Sequence, residues 1–215
     1  MLFKTMSLGF LLVFVALTGL ACTGVPGSGT AASDTRTVGA FTEVEVHGVI
    51  ELELELGSPH SVELTGDDNL LPLVEAVVQG NRLVIRSTKS MRPELPLVAK
   101  VTAPDVSLAR GSGATKLRIA GVDNTALTVE LSGAGKGEVA GKTETFTVDL
   151  SGAGTIDAAK LTVKSVKVDV SGAGRVSVAE PDELTVDISG AGTVRYGGSP
   201  KITKNISGAG KLDKR

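Results

Sequence analysis

Along the second half of the chain, apolar and polar residues alternate with a period of two. Val148 and Leu150 alternate with Asp149 and Ser151, Leu161 and Val163 flank Thr162, and Val176 and Val178 flank Ser177. Such alternation marks strands that bury one face. The runs close on one tetrapeptide, Ser132-Gly-Ala-Gly135, repeated from Ser151, Ser171, Ser189 and Ser207, with a degenerate copy at Gly111-Ser-Gly-Ala114. The glycine after each serine falls at 113, 133, 152, 172, 190 and 208, giving spacings of 20, 19, 20, 18 and 18 residues. A unit this short has no room for a helix beside its strand, and one strand cannot bury its apolar face alone. Stacked coils of strand do bury it, with equivalent strands about 4.8 Å apart. The pattern predicts an all-β fold, a single-chain parallel β-helix or solenoid of about 18–20 residues per turn. Right-handed coils are expected from the crossover rule.

The tetrapeptide reads as the corner of each coil, because glycine reaches positive φ without strain. Ala134, Ala153, Ala173, Ala191 and Ala209 are expected where space is small, and Ser132, Ser151, Ser171, Ser189 and Ser207 as a hydroxyl ladder. Outward residues should also form columns. One is Glu130, Asp149, Asp169, Asp187 and Asn205, two residues before the serines. Another is Lys136, Thr155, Arg175, Thr193 and Lys211, in which threonine separates like charges.

Residues 38–110 lack the repeat but stay β-rich. Glu43-Val-Glu-Val-His-Gly48 has the form of a divergent corner, and Ile50-Glu-Leu-Glu-Leu-Glu-Leu56 alternates strictly. Ser61–Leu64, Arg82–Ile85 and Leu97–Thr102 are further strands, and a short helical turn within 67–78 should break at Pro72. This half is expected to continue the coil and cap it, since solenoid ends differ from their middles. At the other end, Lys211-Leu-Asp-Lys-Arg215 puts charge on the terminal edge and discourages edge pairing.

Phe41-Thr-Glu-Val-Glu-Val-His-Gly-Val49, Gly66-Asp-Asp-Asn-Leu-Leu71 and Val78-Gln-Gly-Asn-Arg-Leu-Val-Ile85, with the Ser-Gly-Ala-Gly units, carry a family resemblance. Over roughly residues 38–212 the chain resembles the auto-transporter adhesin head GIN-domain family of bacterial envelope proteins. The resemblance implies a β-helical fold, export and an adhesive role, and supplies no site residues.

The N-terminus reads as a targeting segment. Lys4, an apolar run from Leu8 to Leu17, and small residues at Gly19 and Ala21 describe a signal peptide over residues 1–21. Cys22 is the only cysteine, so no intramolecular disulfide can form. Its position resembles a bacterial lipobox, which implies lipidation and, with Thr23 next, sorting to the outer membrane. Acylation by more than one chain gives stable anchoring. Residues 22–37, rich in Gly, Ser, Thr and Pro, read as a lipid-anchored flexible linker. The domains are then 1–21, 22–37, 38–110 and the regular turns 111–212.

Candidate chemistry is sparse. Net charge is −2 with scattered cations, which gives no footprint for nucleic acid. Gly135-Lys-Gly-Glu-Val-Ala-Gly-Lys-Thr143 approaches a phosphate loop, but a strand pattern follows where a helix is needed. Two histidines, His47 and His60, and no second cysteine offer no metal set, and no Ser-His-Asp set assembles from the sequence. Glu130, Asp149, Asp169 and Asp187 remain as a surface binding column. Stacked carboxylates repel unless bridged by a cation or compensated by neighbours, and compensation is the reading adopted. Neither cofactor nor catalysis is expected. Function is expected to be adhesin-like binding of a surface glycan or protein ligand, with a structural envelope role as the alternative. A polysaccharide-cleaving β-helix is a third reading, disfavoured by short turns and 3% aromatic residues.

Overall fold

The computed structural model describes residues 24–215. The signal-peptide and lipidation readings fall on residues outside that range. The N-terminal elements are β1 (Val25–Pro26), β2 (Ala31–Thr35), β3 (Glu43–Gly48), β4 (Glu51–Leu56) and β5 (Ser61–Asp67). A 3-10 turn at Leu71–Leu73 precedes β6 (Val74–Gln79), β7 (Arg82–Ser87), β8 (Met91–Arg92) and β9 (Val98–Ala103). The repeat contains β10 (Leu108–Gly113), β11 (Lys116–Gly133), β12 (Lys136–Gly152), β13 (Thr155–Gly172) and β14 (Arg175–Val178). It ends with β15 (Glu183–Gly190), β16 (Thr193–Tyr196), β17 (Lys201–Gly208) and β18 (Lys211–Lys214). The fold is the all-β parallel solenoid that the period demanded.

Register follows the repeat. Glycine 113 pairs with Gly133, Gly133 with Gly152, Gly152 with Gly172, Gly172 with Gly190, and Gly190 with Gly208. Inside the coils, Val129, Val148, Val168 and Val186 stack as one fully buried column, beside Leu127, Phe146, Val166 and Leu184. Burying each such side chain contributes about 1.5–3 kcal/mol. The ladder does not break at the corner. The N–H of Ala153 donates to Gly133 O at 2.9 Å and that of Thr155 to Gly135 O at 3.0 Å, the next two corners repeat the pair, and the last keeps the second bond, from Lys211 N–H to Gly192 O at 2.9 Å.

Both glycines of the corner are required, for different reasons. The first has φ of +115° at Gly152 and +120° at Gly172, and a Cβ there would lie 2.5 Å from the carbonyl oxygen of the glycine one coil back. The second faces the core: a Cβ on Gly174 would lie 2.4 Å from Leu150 Cδ2. The alanines were expected in the tight space and stand instead exposed on the apex. The second glycine takes the interior position, because the apolar residue before the corner, in its own coil or the coil before, already fills that space.

The first repeat coil shows that exchange in reverse. Its interior residues are Gly111 and Thr115, where the next coils have Leu131 with Gly135 and Leu150 with Gly154. A Cβ on Gly111 would meet Thr115 Oγ1 at 2.6 Å, so the larger residue has moved from one side of the corner to the other. Thr115 is buried and its hydroxyl has no partner.

The N-terminal half caps the stack, but not in chain order. β3 and β4 lie directly on β10 and β11, with His47-Gly48 in register with Ser112-Gly113 as the divergent corner. The coil β7–β9 lies outside them, pairing β7 with β3 and β9 with β4. Antiparallel β6 on β7, and β5 on β9, close the end. Pro72 sits at the start of the 3-10 turn rather than breaking it, since proline lacks only an N–H that a first turn does not use.

The tether reading is corrected for residues 24–35. β1 pairs with β8 and β2 with β5, so this segment forms the outermost layer of the cap. Asp67 explains how so apolar-poor a stretch is held. It is fully buried and accepts from the N–H groups of Gly29 at 2.8 Å, Glu94 at 3.0 Å and Leu95 at 3.1 Å. A Cβ on Gly27 would lie 2.5 Å from its carboxylate carbon. Burial opposes ionisation of Asp67, but the donors from Leu95, Gly29 and Glu94 outweigh it and hold the carboxyl below its ordinary value of 3.8.

Two outcomes follow for stability. Gly111→Leu should destabilise the domain by about 1–3 kcal/mol through overpacking, and adding Thr115→Gly should restore most of the loss. Denaturant midpoints of the single and double variants check this; equal loss in both would contradict the exchange. Because the folded pKa of Asp67 is depressed, its ionised form stabilises above the unfolded value, and that contribution fades as pH falls through the folded one. Asp67→Asn should therefore lower the midpoint at pH 7 and converge on the wild type in strong acid. A pH-independent gap would refute this role.

Candidate functional face

The strands before the corner present one outward face with three rows. The row two residues before the serines runs Glu45, Arg110, Glu130, Asp149, Asp169, Asp187 and Asn205 in strict register. Glu130, Asp149, Asp169 and Asp187 are thus brought into one column, as their spacing predicted. Beside them run Ser132, Ser151, Ser171, Ser189 and Ser207, all exposed. On the other flank are Thr128, Thr147, Lys167, Thr185 and Thr203.

Charge is handled differently at the two ends of the column. Near the cap, arginines interleave with the acids. Arg82 reaches Glu43 at 2.9 Å and Glu45 at 3.1 Å; Arg110 reaches Glu130 at 2.6 Å and Glu45 at 3.7 Å. The Glu130 side chain, then the neighbouring acids, raise the pKa of Arg110 against the opposing effect of burial. Asn81 and Arg82 hold Glu43 below the usual carboxylate range.

Further along, three aspartates stack without an arginine between them. Partial burial, then the charges of Asp169 and Glu130, push the Asp149 carboxyl up, with Lys167 opposing. Asp169 has Lys167 at 3.4 Å and Asp187 accepts from Asn205 Nδ2 at 2.8 Å. A shallow groove runs here, lined by Asp149, Asp169 and Asp187 on one side and Ser151, Ser171 and Ser189 on the other. Leu150 and Val170 form its floor. Its chemistry is that of carboxylate acceptors beside hydroxyls that both donate and accept. Among the described residues, no three His, Cys, Asp or Glu side chains converge as a metal site.

The compensation expected of the second column is only partly met. Lys116 and Lys136 are adjacent in register, and Lys116 turns to Glu51. On the row beside it, Arg118 pairs with Glu53 at 3.2 Å. The phosphate-loop look-alike runs from the corner glycine Gly135 into β12, where Gly141 packs so closely that a Cβ would be 2.3 Å from Val122 O.

A set not found in the sequence sits at the divergent corner. Ser112 Oγ is 2.7 Å from His47 Nδ1, and His47 Nε2 is 3.2 Å from Glu45. Glu45 is already shared by Arg82 and Arg110. The nearby corner N–H groups are also spent, with Ala114 N donating to Gly48 O at 3.0 Å and Ala134 N to Gly113 O at 3.0 Å. The set closes the serine column with a hydrogen-bonded imidazole. Aligning His47-Gly48 with Ser112-Gly113 would have placed Glu45 and Arg110 in the acid column; their ion pairs had no sequence signal.

Residues 40–200 match the family model described as "Putative auto-transporter adhesin, head GIN domain". The crystal structure of a "putative adhesin" from Bacteroides fragilis is similar, with 17% identity and a TM-score of 0.68, covering 89% of this chain and 100% of that one. That of a "putative lipid binding protein" from Parabacteroides distasonis is 19% identical with a TM-score of 0.55, covering 89% and 99%. A comparison with curated proteins finds no match. These two structures share the solenoid fold, and the family match spans most of the chain, so the chain belongs to the GIN-domain family of adhesin-like β-solenoids.

Proposed function

We propose that this protein is an exported, lipid-anchored binding module of the bacterial cell envelope, adhesin-like and without catalytic activity. Residues 1–21 direct export, and acylated Cys22 holds the mature chain in the outer membrane. The observation that carries the binding role is the run Asp149, Asp169 and Asp187, facing a parallel row of serines on a rigid wall. Like charges one coil apart repel, and the Asp149 carboxyl is pushed up first by its partial burial and then by the charges of Asp169 and Glu130. A wall built only for stability would continue the arginine interleaving seen at Glu45 and Glu130. Carboxylates and hydroxyls repeating about every 4.8 Å suit the hydroxyls of a glycan or the backbone donors of an extended protein segment. With few aromatic rings to stack on, each contact is weak, and avidity comes from presenting many copies.

Two measurements test this reading. An array of envelope and extracellular glycans and proteins, probed with the mature chain carrying Cys22→Ser, should reveal saturable binding. Replacing Asp149, Asp169 and Asp187 together by alanine should weaken it by about tenfold or more. Unchanged binding would remove the face from the account. The stability sign is opposite to that of Asp67. A folded pKa above the ordinary 3.8 means that ionising Asp149 costs stability as pH rises through the folded value. Asp149→Asn should therefore raise the denaturation midpoint at pH 7 and lose that advantage in acid, whereas a lower midpoint at pH 7 would show that the carboxylate stabilises the coil.

A further inference from the structure

We propose that the cap end of the solenoid seats directly on the membrane that holds the Cys22 lipid. The coils then stack away from the bilayer, and the acid–serine wall runs along the membrane normal. The proposal rests on Cys22 being acylated; the seating itself follows from the fold.

The chain is held from almost the first residue after the anchor. Val25 N donates to Ser90 O at 2.9 Å and Gly27 N to Arg92 O at 2.9 Å. Asn69 Nδ2 donates to Pro26 O at 2.9 Å, and Asp67 holds Gly29. Only Thr23 stands between Cys22 and Gly24, two residue steps with a reach of at most about 7 Å. A free tether over residues 22–37 would instead have a mean span of roughly 20 Å and leave orientation open. With the shorter leash, a lipid inserted at Cys22 brings the layer of β1 and β8 to the headgroups.

That layer is chemically suited to the position. Gly24-Val-Pro-Gly-Ser-Gly-Thr30 carries no charged side chain, so it can approach the interface without stripping water from an ion. Of the acids here, Asp67 is buried on backbone N–H groups and the exposed Asp68 accepts from the Ser28 hydroxyl, while Glu94 stands exposed beside Gly29. Exposed Lys89 and Arg92 flank the arm, where lipid phosphates would lie. On the outermost strand, β6, Val77 is 42% exposed and presents an apolar side chain at the same end.

The far end is well separated. The face that begins with β6 continues through β7, β3, β10, β11, β12, β13 and β15 to β17. Gln79 and Thr203 stand at the two ends of one column on it. Eight strand spacings put Thr203 about 38 Å beyond Gln79.

The test uses the acylated mature protein in vesicles of phosphatidylethanolamine and phosphatidylglycerol that contain headgroup spin-labelled lipid. Because Cys22 is the only cysteine and is consumed by the lipid, a fluorophore can be placed on Gln79→Cys or Thr203→Cys alone. The expected result is strong quenching at position 79 and none at 203. Equal quenching at the two positions, in protein whose N-terminal peptide carries the acyl mass, overturns the seating and leaves the anchor standing. An N-terminal peptide without acyl mass, in protein that does not float with the vesicles, removes the anchor and the seating with it.

Discussion

One backbone contact recurs through the molecule. At the corners from Ala114 to Ala191 the carbonyl of the first glycine accepts the N–H of the alanine one coil on, at 2.8–3.0 Å, in space that excludes a Cβ. Because the contact is backbone to backbone, it sets the register of successive coils with no dependence on side-chain packing. Register then stacks valine on valine inside and acid on acid outside. The hydrophobic core and the candidate binding wall are two consequences of the same constraint.

The repeat made much of this legible. Spacings of 18–20 residues, the period-two alternation and the double glycine led to coil, corner and columns, because each depends on local sequence that recurs. The acid column was legible for the same reason. What sequence reading missed lies where neighbours are set by the stack rather than by the repeat. The exposed corner alanines are one case, since only the distance from Gly174 to Leu150 shows which small residue faces inward. The arginine interleaving is another, since Arg82 belongs to a coil that follows β3 in sequence and lies outside it in space. Composition misled over residues 24–35: a stretch of Gly, Ser and Thr buries little, but strand pairing and backbone donors meeting a buried carboxylate hold it in place. Its signal is Asp67, an ordinary acid in the sequence.

The solenoid thus has two different kinds of end and one distinctive wall. At one end, antiparallel strands and the pinned arm close the stack. The wall begins there as a compensated ion-pair ladder and continues as stacked aspartates with their carboxylates facing solvent. A rod with a repeating polar face presents many equivalent contacts, which is the property the proposed adhesive role would use. The proposed seating of the cap would turn that geometry into direction.

A continuous, glycine-registered stack runs from the cap to the last coil, with β7–β9 outside β3. Pulsed electron–electron resonance between nitroxides at Gln79→Cys and Thr203→Cys, in protein carrying Cys22→Ser, tests it most directly. The expected result is a single narrow distribution centred at about 38 Å, eight spacings of about 4.8 Å. A broad distribution, or a centre shorter by two or more spacings, would contradict it.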